Sequence, residues 1–112
     1  MKKEKIDIHE YSNIESRLEI TIGKIIAAER VPKSHGLKLS VYFGDYDTRS
    51  VFTNIGKTHE PEELIDLTMP FITNLKPSVI KGVNSEAMIM VGTINDKTQV
   101  GLDNIGIGTR LM

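Results

Sequence analysis

Lys76 and Lys81 are the only charged residues between positions 67 and 85. On a chain whose formal net charge is −1, two neighbouring ammonium groups with no local carboxylate make a basic edge suited to phosphate or another anion. A second constellation lies earlier. Lys38, Ser40 and Tyr42 alternate with Leu37, Leu39, Val41 and Phe43, so one strand presents a cation, a hydroxyl and a ring on its outward side. A ring can stack on a base while an ammonium meets a phosphate, which is the chemistry of a nucleic-acid surface. The same residues also read as solvated loop lysines and a tyrosine packed by its neighbours.

Other chemistries find no support. The chain has no Cys, which removes a disulfide framework, a thiolate zinc site and a cysteine nucleophile. His35 has no second His or carboxylate at metal-ligand spacing, and reads as a polar loop residue able to meet a phosphate or base. Glu60, Glu62, Glu63 and Asp66 surround Pro61 and read as the solvated face of a short helix rather than an acid/base site. Gly106-Ile107-Gly108 lacks the lysine and the strand-to-helix setting of a phosphate-cradling loop. No catalytic residue, metal or cofactor is expected.

The elements that must position these groups belong to one domain spanning residues 1–112. Its 39% hydrophobic and 26% charged content is that of a globular protein. No apolar run approaches the roughly 18 residues needed to span a bilayer. The opening MKKEKIDIHEY places Glu4, Asp7 and Glu10 where a signal peptide would be apolar. A cytoplasmic protein without membrane contact is therefore expected.

Residues 1–17 form an N-terminal extension. There Ile8, Tyr11, Ile14 and Leu18 recur at helical spacing, and the apolar face of this short helix is expected to pack on the core, with a subunit contact as the alternative. A first strand is expected over 18–29, with Gly23 marking a bulge or bend. Val31 to Gly36 forms a loop, and the alternation over 37–43 a second strand. The Gly- and Asp-rich turn at 44–48 leads to a third strand over 49–56, where Val51, Thr53 and Ile55 are the better core set and Phe52 is left on the other face. A short helix beginning near Pro61 follows. The fourth strand covers 69–74, and Pro70 within it implies a strand start or a sheet edge. After a structured connection through Pro77 and Gly82, residues 87–91 form the fifth strand. The C-terminal extension, 93–112, reads as a turn at Asn95-Asp96-Lys97, a short strand over 99–102 and a Gly-spaced ending. Five strands with one helix between the third and fourth give an all-β class.

The stretch Asn74-Leu75-Lys76-Pro77, Gly82, Ser85 and Met88 closely resembles the signature of the tRNA-binding domain family, which includes the C-terminal domain of methionyl-tRNA synthetases, the endothelial monocyte-activating polypeptide, stand-alone tRNA-binding proteins and the export chaperone CsaA. Looser similarity runs from about residue 18 to the C-terminus. The chain departs at Val79, where the family often carries a basic residue. The resemblance implies a five-stranded Greek-key oligonucleotide-binding (OB-fold) barrel, non-catalytic, that recognises folded tRNA by shape and backbone. It places Lys76 and Lys81 at the rim against phosphates, with Asn74 and Ser85 donating hydrogen bonds to backbone or sugar oxygens of the RNA; the alternative for Asn74, as for Pro77 and Gly82, is to fix the loop so that the lysines point outward. Lys38 and Tyr42 would extend that surface. It further implies a homodimer using the terminal extensions, with Ile105, Ile107 and Leu111 as apolar residues to be covered. The alternative roles are a CsaA-like chaperone holding unfolded polypeptide and a module docking an aminoacyl-tRNA synthetase in trans.

Overall fold

In the computed structural model, which describes residues 2–94, 97–99 and 106–111, one long strand holds the rest together. This strand, β1 (Ile20–Arg30), pairs through its first half with β4 (Thr68–Ile72) and through its second half with β2 (Leu37–Tyr42). The register breaks between Ile25 and Ala27, where Ile26 is the extra residue. That bulge bends the strand, so that it runs along two sides of a barrel. Gly23 is not the bend. It keeps regular pairing with Met69, and a Cβ there would lie 2.6 Å from side-chain atoms of both Val41 and Phe43. The glycine makes room for Phe43, whose ring meets Phe71 edge-on at 5.4 Å.

β2 continues into β3 (Thr48–Thr53) through a turn in which Gly44, Asp45 and Tyr46 all have positive φ. The alternation of β2 is realised as read: Leu37, Leu39, Val41 and the following Phe43 are buried. On β3, Val51 and Thr53 face inward and Phe52 is half-buried on the outer face. A 3-10 turn (Ile55–Lys57) and the short helix α2 (Pro61–Leu64) then cross one end of the barrel, and fully buried Leu64 plugs it. Pro61 opens α2, and the Glu63 carboxylate accepts the Glu60 N–H at 2.8 Å.

The sheet order is β3-β2-β1-β4-β7, with β7 being Met88–Ile89. β4 therefore lies inside the sheet with Pro70 at its third residue, which is neither the strand start nor the sheet edge that Pro70 implied. Opposite Pro70, Ile22 turns its N–H to Thr109 and its carbonyl to the Gly108 N–H. The missing donor of Pro70 thus points away from β1, and its carbonyl accepts the Met90 N–H at 2.9 Å. The barrel closes where β3 meets the segment before β7: the Glu86 N–H bonds the Ser50 carbonyl at 2.9 Å, and the Ser50 hydroxyl donates to the Asn84 carbonyl at 2.6 Å. This is an all-β barrel of five strands with the OB-fold order and the expected helix between its third and fourth strands.

The N-terminal helix α1 (Ile8–Glu15) forms, with the Asp7 carboxylate accepting the Glu10 N–H at 2.9 Å. It contributes nothing to the core, contrary to the packing expected of its apolar face, because none of its residues is buried. In the C-terminal extension β8 (Gly92–Ile94) pairs with β9 (Lys97–Gln99). The strand expected over 99–102 begins in β9 at Gln99; its other residues, Asn95 and Asp96 of the expected turn, and Ile105 lie outside the described residues. The chain returns at β10 (Arg110–Leu111), which pairs with Ile20 and Thr21 of β1.

Candidate nucleic-acid interface

The connection between β4 and β7 is a hairpin that the sequence reading did not resolve. β5 (Ser78–Ile80) and β6 (Val83–Ser85) pair in register around Lys81 and Gly82, with φ of 51° and 82°. Two central residues with positive φ make the tight turn whose twist matches a hairpin. Glycine takes that conformation freely and lysine does not. The available signal was β-branched residues on both sides of Lys-Gly. All of β5 is exposed, as are Lys76 and Lys81. Among the described residues neither lysine has a hydrogen-bond or ion-pair partner, so Lys81 in the hairpin turn and Lys76, two residues before β5, present two free ammonium groups to solvent.

Two of the residues implied as RNA contacts face the protein instead. The Asn74 amide oxygen accepts the Glu19 N–H at 2.8 Å, and its nitrogen donates to the Arg17 carbonyl at 2.5 Å. The buried Ser85 hydroxyl accepts the Phe52 N–H at 3.0 Å and donates to the Ala87 carbonyl at 3.1 Å. These bonds pin both ends of the lysine-bearing segment, one to the start of β1 and the other to β3.

The outer face of β1, β2 and β3 carries three cross-strand rows: Lys24-Tyr42-Thr48, Ala27-Ser40-Ser50 and Glu29-Lys38-Phe52. Lys38 is exposed and Tyr42 is half-exposed on this face. They stand four positions apart on β2, about 13 Å along the strand. Phe52 joins this face to the hairpin. Its N–H is held by Ser85, it pairs across to Lys38, and its ring lies against Gly36 of the β1–β2 loop. Lys38 and the base of the hairpin therefore belong to one continuous surface, with Tyr42 at its far end.

Charge is redistributed in space. The acidic stretch around α2 returns onto the basic residues of β1: Lys24 pairs with Asp66 at 3.7 Å, and Arg30 with Glu60 at 2.8 Å. Arg49 is held by Asp47 and by the Thr73 carbonyl and lies over the Phe43 ring. Lys33, on the β1–β2 loop with φ of 62°, is exposed and unpaired among the described residues. It joins Lys38, Lys76 and Lys81 as a cation with no carboxylate partner. His35, in the same loop, is also exposed. Among the described residues no group of His, Asp and Glu could hold a metal ion, and no helix is long and apolar enough to cross a membrane.

Comparison with known proteins agrees with this geometry. A family model described as "Putative tRNA binding domain" matches residues 20–106. The methionine–tRNA ligase of Methanococcoides burtonii is 41% identical over 78 residues, 69% of this chain and 11% of the ligase. That of Methanospirillum hungatei is 40% identical over 95 residues, 84% of this chain and 14% of the ligase. The chain thus spans a small fraction of the length of the curated relatives it matches. Among solved structures, a MetRS-related protein from Pyrococcus horikoshii superposes with a TM-score of 0.81 at 27% identity, covering 98% of this chain and all of the other. The chaperone CsaA of Bacillus anthracis shares the fold, with a TM-score of 0.77 at 21% identity over 97% of this chain and all of the other.

Proposed function

This chain belongs to the tRNA-binding domain family, and on that premise we propose that it binds folded tRNA through its ribose–phosphate backbone. The observation that carries the reading is the pair Lys76 and Lys81, exposed and, among the described residues, unpaired, on a segment pinned at both ends, Lys81 in the hairpin turn and Lys76 just before β5. Phosphate contacts from such lysines give affinity and orientation without sequence information. Lys38 and Lys33 continue the cationic track toward the β1–β2 loop. Tyr42 offers a ring to an unstacked base. Asn74 and Ser85 act as positioning residues, since their polar atoms already hold the backbone.

No catalytic role is proposed for this chain. The matched segment is a small part of the methionine–tRNA ligases, and we read it as a module that delivers tRNA, alone or docked on a synthetase in the cytoplasm. The chain is further proposed to form a homodimer. Tyr11, Ile14, Leu18, Ile20 and Leu111 line a groove of about 320 Å³ between α1 and β10, and a second copy would cover it.

A CsaA-like polypeptide-binding role is the competing reading, favoured by Val79, which is 73% exposed at the hairpin. Salt separates the two, because phosphate binding weakens steeply with salt and apolar peptide binding does not. A mobility-shift titration against bulk tRNA and against an RNA duplex of similar length, at two salt concentrations, tests the proposal. Salt-sensitive shifts that favour tRNA are expected. No shift, or equal shifts for both RNAs, would overturn it.

A further inference from the structure

The outer face of the barrel carries a recess that the lysine hairpin does not explain. At the β1 bulge Ile26 is displaced, and the pair that follows, Ala27 and Ser40, is small on both strands. A hollow of about 240 Å³ results, lined by Ala27, Ala28, Glu29, Lys38 and Ser40. It is smaller than the clefts that hold drug-sized ligands, and its size suits a single flat ring system rather than a base pair. Its walls carry opposite charges. Glu29 and Lys38 are directly opposed across the strands, yet neither is in an ion pair or side-chain hydrogen bond among the described residues. Both heads remain free for a ligand.

A carboxylate beside a phosphate-binding lysine repels RNA unless it receives hydrogen bonds. It can accept from amino and imino N–H groups, and it opposes any acceptor placed next to them. Uracil presents acceptors on both sides of its N–H. Adenine and cytosine each set a ring-nitrogen acceptor beside the amino group. Guanine alone offers two adjacent donors, N1–H and the 2-amino group, to match the two carboxylate oxygens. We infer that this recess binds one unpaired guanine of an RNA ligand, with Glu29 reading its N1–H and 2-amino edge. Ala27 leaves space for the ring, Ser40 supplies a hydroxyl at the floor, and Lys38 meets the adjoining phosphate. The inference rests on the RNA-binding reading and adds base selectivity at a place separate from the hairpin.

Fluorescence anisotropy of the full chain with labelled UUGUUU, UUUUUU and the inosine-containing UUIUUU tests it. UUGUUU is expected to bind about tenfold more tightly than UUUUUU, the scale of one bidentate base contact. Inosine, which keeps N1–H but lacks the 2-amino group, should fall between them. Glu29→Gln replaces one acceptor by a donor and should bring the guanine-to-uracil ratio close to one. Ala27→Leu should fill the recess and do the same, and because Glu29 is exposed, the Gln variant stands as a test even if Leu disturbs the bulge. Equal binding of UUGUUU and UUUUUU alongside normal tRNA binding would overturn the recess alone, as would a guanine preference that survives Glu29→Gln. Failure of every RNA to bind would remove the recess together with the RNA-binding reading.

Discussion

The backbone N–H of Phe52 is held by the hydroxyl of Ser85 at 3.0 Å, and this bond ties the base of the lysine hairpin to the third barrel strand. It makes a serine of the signature segment part of the scaffold. It also links the hairpin to Lys38, which pairs with Phe52 on the neighbouring strand.

Removing that hydroxyl should therefore loosen the hairpin without changing its charge. Ser85→Ala leaves the half-buried Phe52 N–H without its acceptor and the Ala87 carbonyl without its buried donor, at a cost of about 1–3 kcal/mol in stability. Denaturant unfolding should show the loss. Binding of tRNA should weaken while its salt slope stays that of the unaltered protein, because the lysines remain.

Lys81 tests whether backbone strain accompanies function. A lysine at a φ of 51° occupies a conformation that costs an L-residue roughly 1–2 kcal/mol and that asparagine visits far more readily. Lys81→Asn should stabilise the fold by about 0.5–1 kcal/mol and weaken tRNA binding. Thermal unfolding and a binding titration on the same sample check both signs. A variant that is both more stable and fully active would remove Lys81 from the site.

Tyr42 is the ring of the outer face. Tyr42→Ala should cost about 1–3 kcal/mol of RNA binding with the fold intact, the usual scale of a lost base stack. Tyr42→Phe should retain nearly all of it. Unchanged affinity in the Ala variant, measured with circular dichroism confirming the fold, would leave Tyr42 as a packing residue.

How much of this was legible depended on where each signal was written. The alternation of Leu37, Leu39, Val41 and Phe43 against polar neighbours specified a half-buried strand, and all four are buried. Gly23 was legible as a special position but not as which kind, since a bend and a lack of room both call for glycine. The hairpin over 78–85 was missed because β5 is exposed on both faces, so no burial pattern marks it. For α1 the apolar spacing was right about the helix and wrong about its cover, since the core packing expected of that face does not occur. Asn74 and Ser85 carried the deeper ambiguity. A polar residue in a recognition segment can face ligand or backbone, and here the deciding partners, Glu19, Arg17 and Phe52, lie far away in the chain. The same holds for the charges: Asp66 and Glu60 quench Lys24 and Arg30 only once the chain has folded back.

The exposed apolar groove makes the proposed dimer testable. Ile14 and Leu111 are 50% and 36% exposed in the single chain, and each should be covered by the second copy. Sedimentation at tens of micromolar should give a dimer, and Ile14→Asp or Leu111→Asp should shift it to monomer. A monomer before any substitution would contradict the assembly.

The central claim is that the exposed lysines of the pinned segment, Lys76 before the hairpin and Lys81 in its turn, bind the phosphates of tRNA. Its most direct test is the slope of log affinity against log salt for the unaltered protein, Lys76→Ala, Lys81→Ala and Val79→Lys. Each alanine variant should bind more weakly, keep its order of preference among tRNAs, and lower the magnitude of the slope by roughly 0.7 to 0.9. Val79→Lys, adding a cation beside them, should strengthen binding and steepen the slope. Affinities and slopes that are the same for all four proteins would contradict the account and move the hairpin to the polypeptide-binding reading.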